Sequence, residues 1–359
     1  MNKILNLQLF ADAGTLVNAT ANYVNAYAGT TTAFDAVNTL AGELKTFYDT
    51  ELLENARVEM FYAQFAKKQP LPKNRGKTVE WRKWNTFARA TQLVEGVIPT
   101  GQKFGMSSKQ GSINSFGTYA TISDQLELRA YDDVILGATE EMGASAAETQ
   151  EVLIRDALLV NTNVLYCDNI TLATGAVAST PTAPSAMEAT TTVMSLLTPD
   201  MVAKAVTKLK KDRVPTINGK YYAVIHPSVA YDLRKSDSWM DAHRYAATSE
   251  IFNGEIGELH GCRFIEDVFA PVLGGTYANK ASGVTYATYF FGKEAFGIID
   301  PEGGALQMII HDKSEIGGPL NQFSTVGYKF DTNGATILYP ERVLRVMSCS
   351  SYSATDAAN

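Results

Sequence analysis

The sequence predicts an α+β fold organised around one long helix and one extended β-hairpin, and three observations carry that expectation. Residues 117–169 open as a strand pattern, Gly117-Thr-Tyr-Ala-Thr-Ile-Ser, and pass into a continuous helical pattern. Between Asp132 and Tyr166 there is no proline, and the only glycines are Gly137 and Gly143. Uninterrupted, that helix would run roughly 50 Å at 1.5 Å per residue. A helix so long needs support from several elements, so it reads as the spine of an elongated subunit. Second, residues 76–123 read as two strands around a tip rich in Gly and Ser. Third, residues 198–320 mix short helix and strand signals without a βαβ rhythm.

Taken in order, residues 1–45 are rich in Ala, Asn, Thr and Gly. A segment so poor in large apolar groups does not bury enough surface to fold alone, and it reads as an arm held by another body. Residues 46–66 predict a helix, with Phe47, Leu52, Leu53, Ala56, Met60 and Phe61 at helical spacing. Pro70 and Pro72 forbid its continuation. The outgoing strand of the hairpin is Lys77-Thr-Val-Glu-Trp-Arg-Lys-Trp-Asn and the return strand spans residues 111–123. Val79, Trp81 and Lys83 share one side; Thr78, Glu80, Arg82 and Trp84 share the other. Such a lone ribbon is marginal in water and needs a surface to lie on.

The spine helix presents a small-residue apolar face through Ile135, Ala138, Met142, Ala146, Leu153, Ala157, Val160 and Val164. Residues 171–197, rich in Ala, Thr, Ser and Pro, read as an exposed connector. Thr198-Pro199-Asp200 opens a helix with proline at its first position. Asn218-Gly219 is a hairpin turn signal before the apolar strand Tyr221-Tyr-Ala-Val-Ile. Pro227 starts a short helix. Strands follow at residues 261–266, 285–291 and 305–311, with a Gly/Ala loop at 271–283. Residues 254–261, glycine-rich, read as a turn. The last strong pattern is a hairpin, 322–330 and 335–347, around Asp331-Thr-Asn-Gly334.

The bulk properties exclude several classes. The chain has 359 residues, and its hydrophobic share of 45% against 19% charged excludes bulk disorder. The formal net charge is −7, whereas a protein that wraps DNA is usually basic. Three cysteines far apart, Cys167, Cys262 and Cys349, form neither a disulfide framework nor a zinc knuckle, and read as buried reduced thiols. No apolar stretch is long enough to cross a membrane as a helix. The N-terminus mimics a signal peptide weakly, but Asn6 and Gln8 interrupt its apolar region, so cleavage is not expected.

Charge is distributed unevenly. Residues 67–109 hold ten basic and two acidic side chains, a local +8, and residues 124–156 hold two basic and nine acidic, a local −7. The candidate contact residues of the ribbon are Lys73, Arg75, Lys77, Trp81, Arg82, Lys83, Trp84, Arg89, Lys103 and Lys109. Those of the acidic spine are Asp132, Asp133, Glu140, Glu141, Glu148 and Glu151. A ribbon projecting from one end of the helix it leads into does not fold back along that helix. Its natural partner is the acidic helix of a second copy, a heterologous contact that closes into rings or extends into lattices. Two other readings stand beside this one: both segments are solvated charged faces, or Trp81, Trp84 and Phe87 among Arg and Lys form a single-stranded nucleic-acid groove.

Catalytic chemistry leaves no signature. His226, His243, His260 and His311 have no ligand spacing, and no nearby cysteine pair completes a metal site. There is no nucleophile elbow and no phosphate-binding loop. Glu140 and Glu141, adjacent on a helix, point about 100° apart and do not suit paired acid/base work. The expectation is a protein without catalytic, cofactor or metal residues.

The run Lys77-Thr-Val-Glu-Trp-Arg-Lys-Trp-Asn, then Leu93-Val-Glu-Gly-Val-Ile-Pro-Thr-Gly, then Phe116-Gly-Thr-Tyr-Ala-Thr-Ile-Ser-Asp and the long helix resembles the major capsid proteins of tailed bacteriophages, most closely those of N-four-type phages. Val224-Ile-His-Pro-Ser-Val-Ala-Tyr-Asp-Leu-Arg and Gly257-Glu-Leu-His-Gly-Cys-Arg-Phe-Ile-Glu are similar to the same branch. The resemblance spans about residues 46–348 in one order. It implies the Hong Kong 97-type fold: residues 1–75 as N-terminal arm and helix, 76–123 as the extended loop, and 124–197 as the peripheral domain with spine helix and connector. Residues 198–320 would be the axial domain, with 271–283 at the capsomer axis, and 321–359 a C-terminal hairpin returning to the peripheral domain. It also implies a structural protein that assembles with itself, as hexamers and pentamers, into an icosahedral head around double-stranded DNA. The implied partners are a separate scaffolding protein, a portal, a possible decoration protein and DNA touched nonspecifically, with assembly in the host cytoplasm and no membrane. Nothing marks Lys103 or Lys109 for covalent crosslinking. An encapsulin-like compartment shell is the alternative on the same fold, and a nucleic-acid-binding protein the alternative of another class.

Overall fold

A computed structural model describes residues 61–359 except 91, 94, 97, 99–100, 130–133, 237–254, 282, 316–319 and 354–355. The predicted arm, most of the helix over 46–66, and Asp132, Asp133 and His243 lie outside the described residues.

The described chain starts with one 3-10 turn, Tyr62–Phe65, and strand β1, Lys67–Leu71. Strand β2, Thr78–Trp84, is followed after a long tip by β3, Met106–Ser112, and then β4, Asn114–Ser123. Helices α1, Asp124–Arg129, and α2, Val134–Leu158, come next. The spine helix therefore stops eight residues before the predicted Tyr166, because Leu158 ends it. Beyond it, Val160-Asn-Thr-Asn-Val is made of poor helix formers. Asn161 and Asn163 donate their side-chain amides to the Val343 carbonyl at 2.6 and 3.2 Å, and residues Val164–Tyr166 become strand β5.

The expected exposed connector is folded. Strands β6, Asn169–Thr171, β7, Val177–Ser179, and β8, Val193–Met194, form a small sheet over buried Met187. Helix α3, Pro199–Lys211, begins as predicted, with the Thr198 hydroxyl accepting the Met201 N–H. Asn218 and Gly219 both take positive φ, the turn that Asn-Gly favours. It leads into β9, Tyr221–Ile225, and helix α4, Pro227–Lys235. Residues 254–261 are not simply a turn: β10, Glu255–Leu259, pairs with β11, Cys262–Glu266, and only His260 and Gly261 make the corner, both at positive φ. Strands β12, Val272–Leu273, β13, Thr285–Phe291, β14, Phe296–Pro301, and β15, Gln307–His311, lead to β16, Phe323–Thr332, β17, Thr336–Ile337, and β18, Val343–Ser348.

Besides the small sheet β7-β6-β8 and the hairpin β2-β3, three sheets organise these elements. The largest has the order β10-β11-β9-β13-β18-β5, with β12 beside β13. All seven residues of β13 are buried, as a central strand with both faces covered requires. A second sheet, β15-β16-β4, lies under α2. There Ala146 and Ala147 come close to Ile122, Val326, Tyr328 and Phe330. The third is β1-β14-β17. Pro70 is tolerated in β1 because that strand is an edge.

Two sequence-derived pairings are corrected. The return strand of the ribbon is β3, which matches β2 from Thr78↔Ser112 to Trp84↔Met106. Residues 114–123 instead pair with β16 along its full length. The C-terminal stretch is not one hairpin either: β16 joins the sheet under α2, whereas β18 enters the large sheet between β13 and β5. The Asn333 side chain redirects the chain, accepting the Ile299 N–H at 2.9 Å, and so sets β17 against β14 before the chain crosses over.

Candidate subunit-contact site

The hairpin β2–β3 is short of apolar side chains yet well placed, because its base rests on the chain's own third sheet. Trp81 is the anchor. Its ring fills the space above Gly297 and Gly111, where an added Cβ would sit 2.9 Å from ring atoms at each. Lys83, on the same side of β2, pairs with Glu341 at 3.3 Å and lies 4.5 Å over the Tyr339 ring. The body-facing side is therefore Val79, Trp81 and Lys83, one of the two sides read from the alternation.

The other side and the tip face solvent. Arg82 on that side, Arg89 and Lys103 in the tip, and Lys73, Arg75 and Lys77 ahead of β2 are exposed; Lys83 and Lys109 are exposed as well but lie on the Trp81 side, Lys109 being the cross-strand partner of Trp81. Trp84 stacks on Phe104 with ring centroids 4.3 Å apart, and Phe104 stacks on Phe87 at 5.3 Å. These three rings remain 58–60% exposed, beside Leu93 at 72% and Ile98 at 94%. Scattered exposed apolar residues are ordinary; a contiguous exposed aromatic stack is less so, and it makes this tip the candidate contact surface. Sequence reasoning found Trp84 and Phe87 but missed Phe104, whose partner lies twenty residues earlier across the tip.

On α2, Glu140, Glu141 and Glu148 are exposed. Glu151 is corrected: it is only 1% exposed, and its Oε1 accepts the backbone N–H groups of Phe61 and Tyr62 at 2.7 and 2.9 Å. Burial pushes its carboxyl up to about 7, against those two hydrogen bonds and with Asp267 adding to the rise. It faces inward because the helix turns its 139–143–146–147–151–154–158 stripe to the core. Lys83 is likewise already paired inside its own chain. The structure thus separates the candidates: Trp81, Lys83 and Glu151 make contacts within the chain, whereas Arg82, Arg89, Lys103 and the rings of Trp84, Phe87 and Phe104, and on α2 Glu140, Glu141 and Glu148, are exposed.

Among the described residues, no group of three His, Cys, Asp or Glu side chains is placed to hold a metal ion. No described helix is long and apolar enough to cross a membrane.

Comparison with solved structures finds a similar fold in phage capsids. The chain is similar to the capsid protein of cyanophage P-SCSP1u, at 15% identity over 81% of this chain and 88% of that one, with a TM-score of 0.55. It is similar to that of Ralstonia phage GP4, at 13% identity over 82% and 92%, with a TM-score of 0.56. Cyanophage Pam1 gives 14% identity over 79% and 87%, with a TM-score of 0.59. At such identities the likeness is one of fold, here the Hong Kong 97 type. No curated protein matches the sequence. A family model described as phage capsid protein matches residues 107–318. That match runs from β3 across the spine helix and the large sheet to β15 and covers more than half of the sequence, so this chain belongs to the phage capsid protein family.

Proposed function

We propose that this chain is the major capsid protein of a tailed phage, a structural subunit that self-assembles into the icosahedral head enclosing the double-stranded DNA genome. The match of residues 107–318 to the phage capsid family carries this reading. The subunit works without catalysis or cofactor, and its stability in the shell comes from many contacts repeated over a lattice. Its partners are further copies of itself, a separate scaffolding protein, a portal and a possible decoration protein, with assembly in the host cytoplasm. The overall charge of −7 limits sticking to DNA during packaging.

The hairpin is the arm that links subunits. Its solvent-facing cations and aromatic stack seat on the next subunit, and the exposed Glu140, Glu141 and Glu148 supply a surface of opposite sign. Velocity sedimentation with negative-stain microscopy of the purified chain tests the reading. Closed shells are expected. Replacing Arg82, Arg89 and Lys103 together by Glu should abolish them while leaving the circular dichroism of the subunit unchanged. Shells unaffected by that triple change would remove the charge-pairing role. A chain that stays monomeric under all assembly conditions would remove the capsid role itself.

A further inference from the structure

We propose that Glu151 is a proton-operated latch that fastens the segment at residues 61–66 to helix α2. The site lies where five elements meet, on the buried side of α2. From the 3-10 turn come the Phe61 and Tyr62 N–H groups, both donated to Glu151 Oε1. From the loop after β11 comes Asp267, 2% exposed, whose Oδ1 accepts the Phe269 N–H at 2.9 Å. From α2 itself comes Arg155, 3% exposed, which donates to the Phe269 carbonyl at 3.1 Å and pairs with Asp156 at 2.8 Å. Tyr289 of β13 packs edge-on against Tyr62 with ring centroids 6.2 Å apart. Arg345 of β18, 5% exposed, donates to the Leu159 carbonyl at 2.7 Å.

The latch is incomplete as a charged group. Glu151 Oε2, Asp267 Oδ2 and the Tyr62 hydroxyl are buried with no hydrogen-bond partner among the described residues. A buried carboxylate with one oxygen unserved is costly. The protonated acid keeps Oε1 as acceptor for both N–H groups and carries no charge. Burial of both carboxyls raises Glu151 and Asp267 alike, and the nearby Arg155 lowers only the latter. With the segment seated, Glu151 holds its proton to about pH 7; with the segment lifted and the site wet, its value returns towards 4.5. A group raised in the closed state contributes closed-state stability that is fully present below the open-state value. That stability is lost as pH rises through the closed-state value. Raising the pH therefore loosens residues 61–66 and, through them, the edge strand β1, which is held to β14 along Lys67–Leu71.

Hydrogen exchange of peptides covering residues 61–71 in the full chain, corrected for intrinsic rates, reads the opening directly. Between pH 5.5 and 8.5 the two limiting values, about 7 and 4.5, imply roughly a thirtyfold rise in opening for the wild type. Glu151→Gln keeps the acceptor and has no proton to lose, so its exchange should not vary with pH. A flat wild-type profile would overturn the latch, and so would a Glu151→Gln protein showing the same rise. If Glu151→Gln does not fold, the wild-type profile alone decides. Asp267→Asn separates the partner's contribution: it should lower the midpoint of the rise, and a lost rise would assign the effect to Asp267 instead.

Discussion

Trp81 shows how a single side chain couples the projecting hairpin to the body of the subunit. Its ring sits against Gly297 and Gly111, and its indole Nε1 is buried without a partner among the described residues. Truncation and isosteric replacement should therefore separate. Trp81→Ala leaves a cavity and should cost about 2–4 kcal/mol in urea unfolding. Trp81→Phe keeps most of the ring and removes the unsatisfied donor, so it should cost less than about 1.5 kcal/mol. Equal losses for the two would show that the indole nitrogen is served after all. The cysteines give a second test at this scale. Cys167, Cys262 and Cys349 are free and buried. Burial raises all three thiols, Cys349 to about 12. A thiol reagent at pH 8 should label none of them in the native protein and all of them in urea; rapid native labelling would contradict the burial. The sequence shows Trp81 as a large anchor but not the two glycines beneath it, since they lie 30 and 216 positions away and only the fold brings them together.

At the scale of elements, α2 owes its packing to small residues. Gly143, Ala146 and Ala147 are buried against the β15-β16-β4 sheet, so Ala147→Leu should overpack this contact and lower stability by about 1–3 kcal/mol, read from the urea midpoint. An unchanged midpoint would mean the helix stands further from the sheet. The helix, the Thr198 cap and the Asn218-Gly219 corner were legible, because periodicity and turn chemistry are local; the apolar face was not, since of the residues read onto it only Ala146 is buried, Ile135, Ala138, Met142 and Leu153 are half-buried at its border, Val160 is exposed and Val164 lies in β5. The end of the helix was not legible either, since Asn161 and Asn163 stop it by bonding a carbonyl of β18, about 180 residues later. Strand β14 escaped notice because Gly297 and the closing Asp300-Pro301 weaken its strand pattern. The strand pairings escaped for a related reason: alternation says which residues share a face, not which strand lies next. Glu151 could not be told from Glu148 by charge alone. Its position on the stripe with Gly143, Ala147 and Ile154 was the available signal.

For the whole molecule, the separation of charge matters more than its total. Exposed cations and aromatic rings sit on a projecting hairpin, and exposed glutamates on a helix of the same chain. The proposed pairing of the two would join copies head to tail rather than in a closed pair. Contacts between exposed charges weaken as salt shortens the screening length, to about 3 Å at 1 M. Assembly should therefore slow between 0.1 and 1 M salt, with the aromatic stack retaining part of the affinity; light scattering that is indifferent to salt would assign the contact to the rings alone. The central claim is that the hairpin spans β2–β3 in order to grip a neighbour while its base stays on its own chain. Electron cryomicroscopy of shells assembled from the purified protein tests this most directly. The account predicts closed icosahedral particles in which Trp84, Phe87 and Phe104 lie against an adjacent subunit and Trp81 remains over Gly297. Shells in which the tip touches only its own chain or solvent would contradict it.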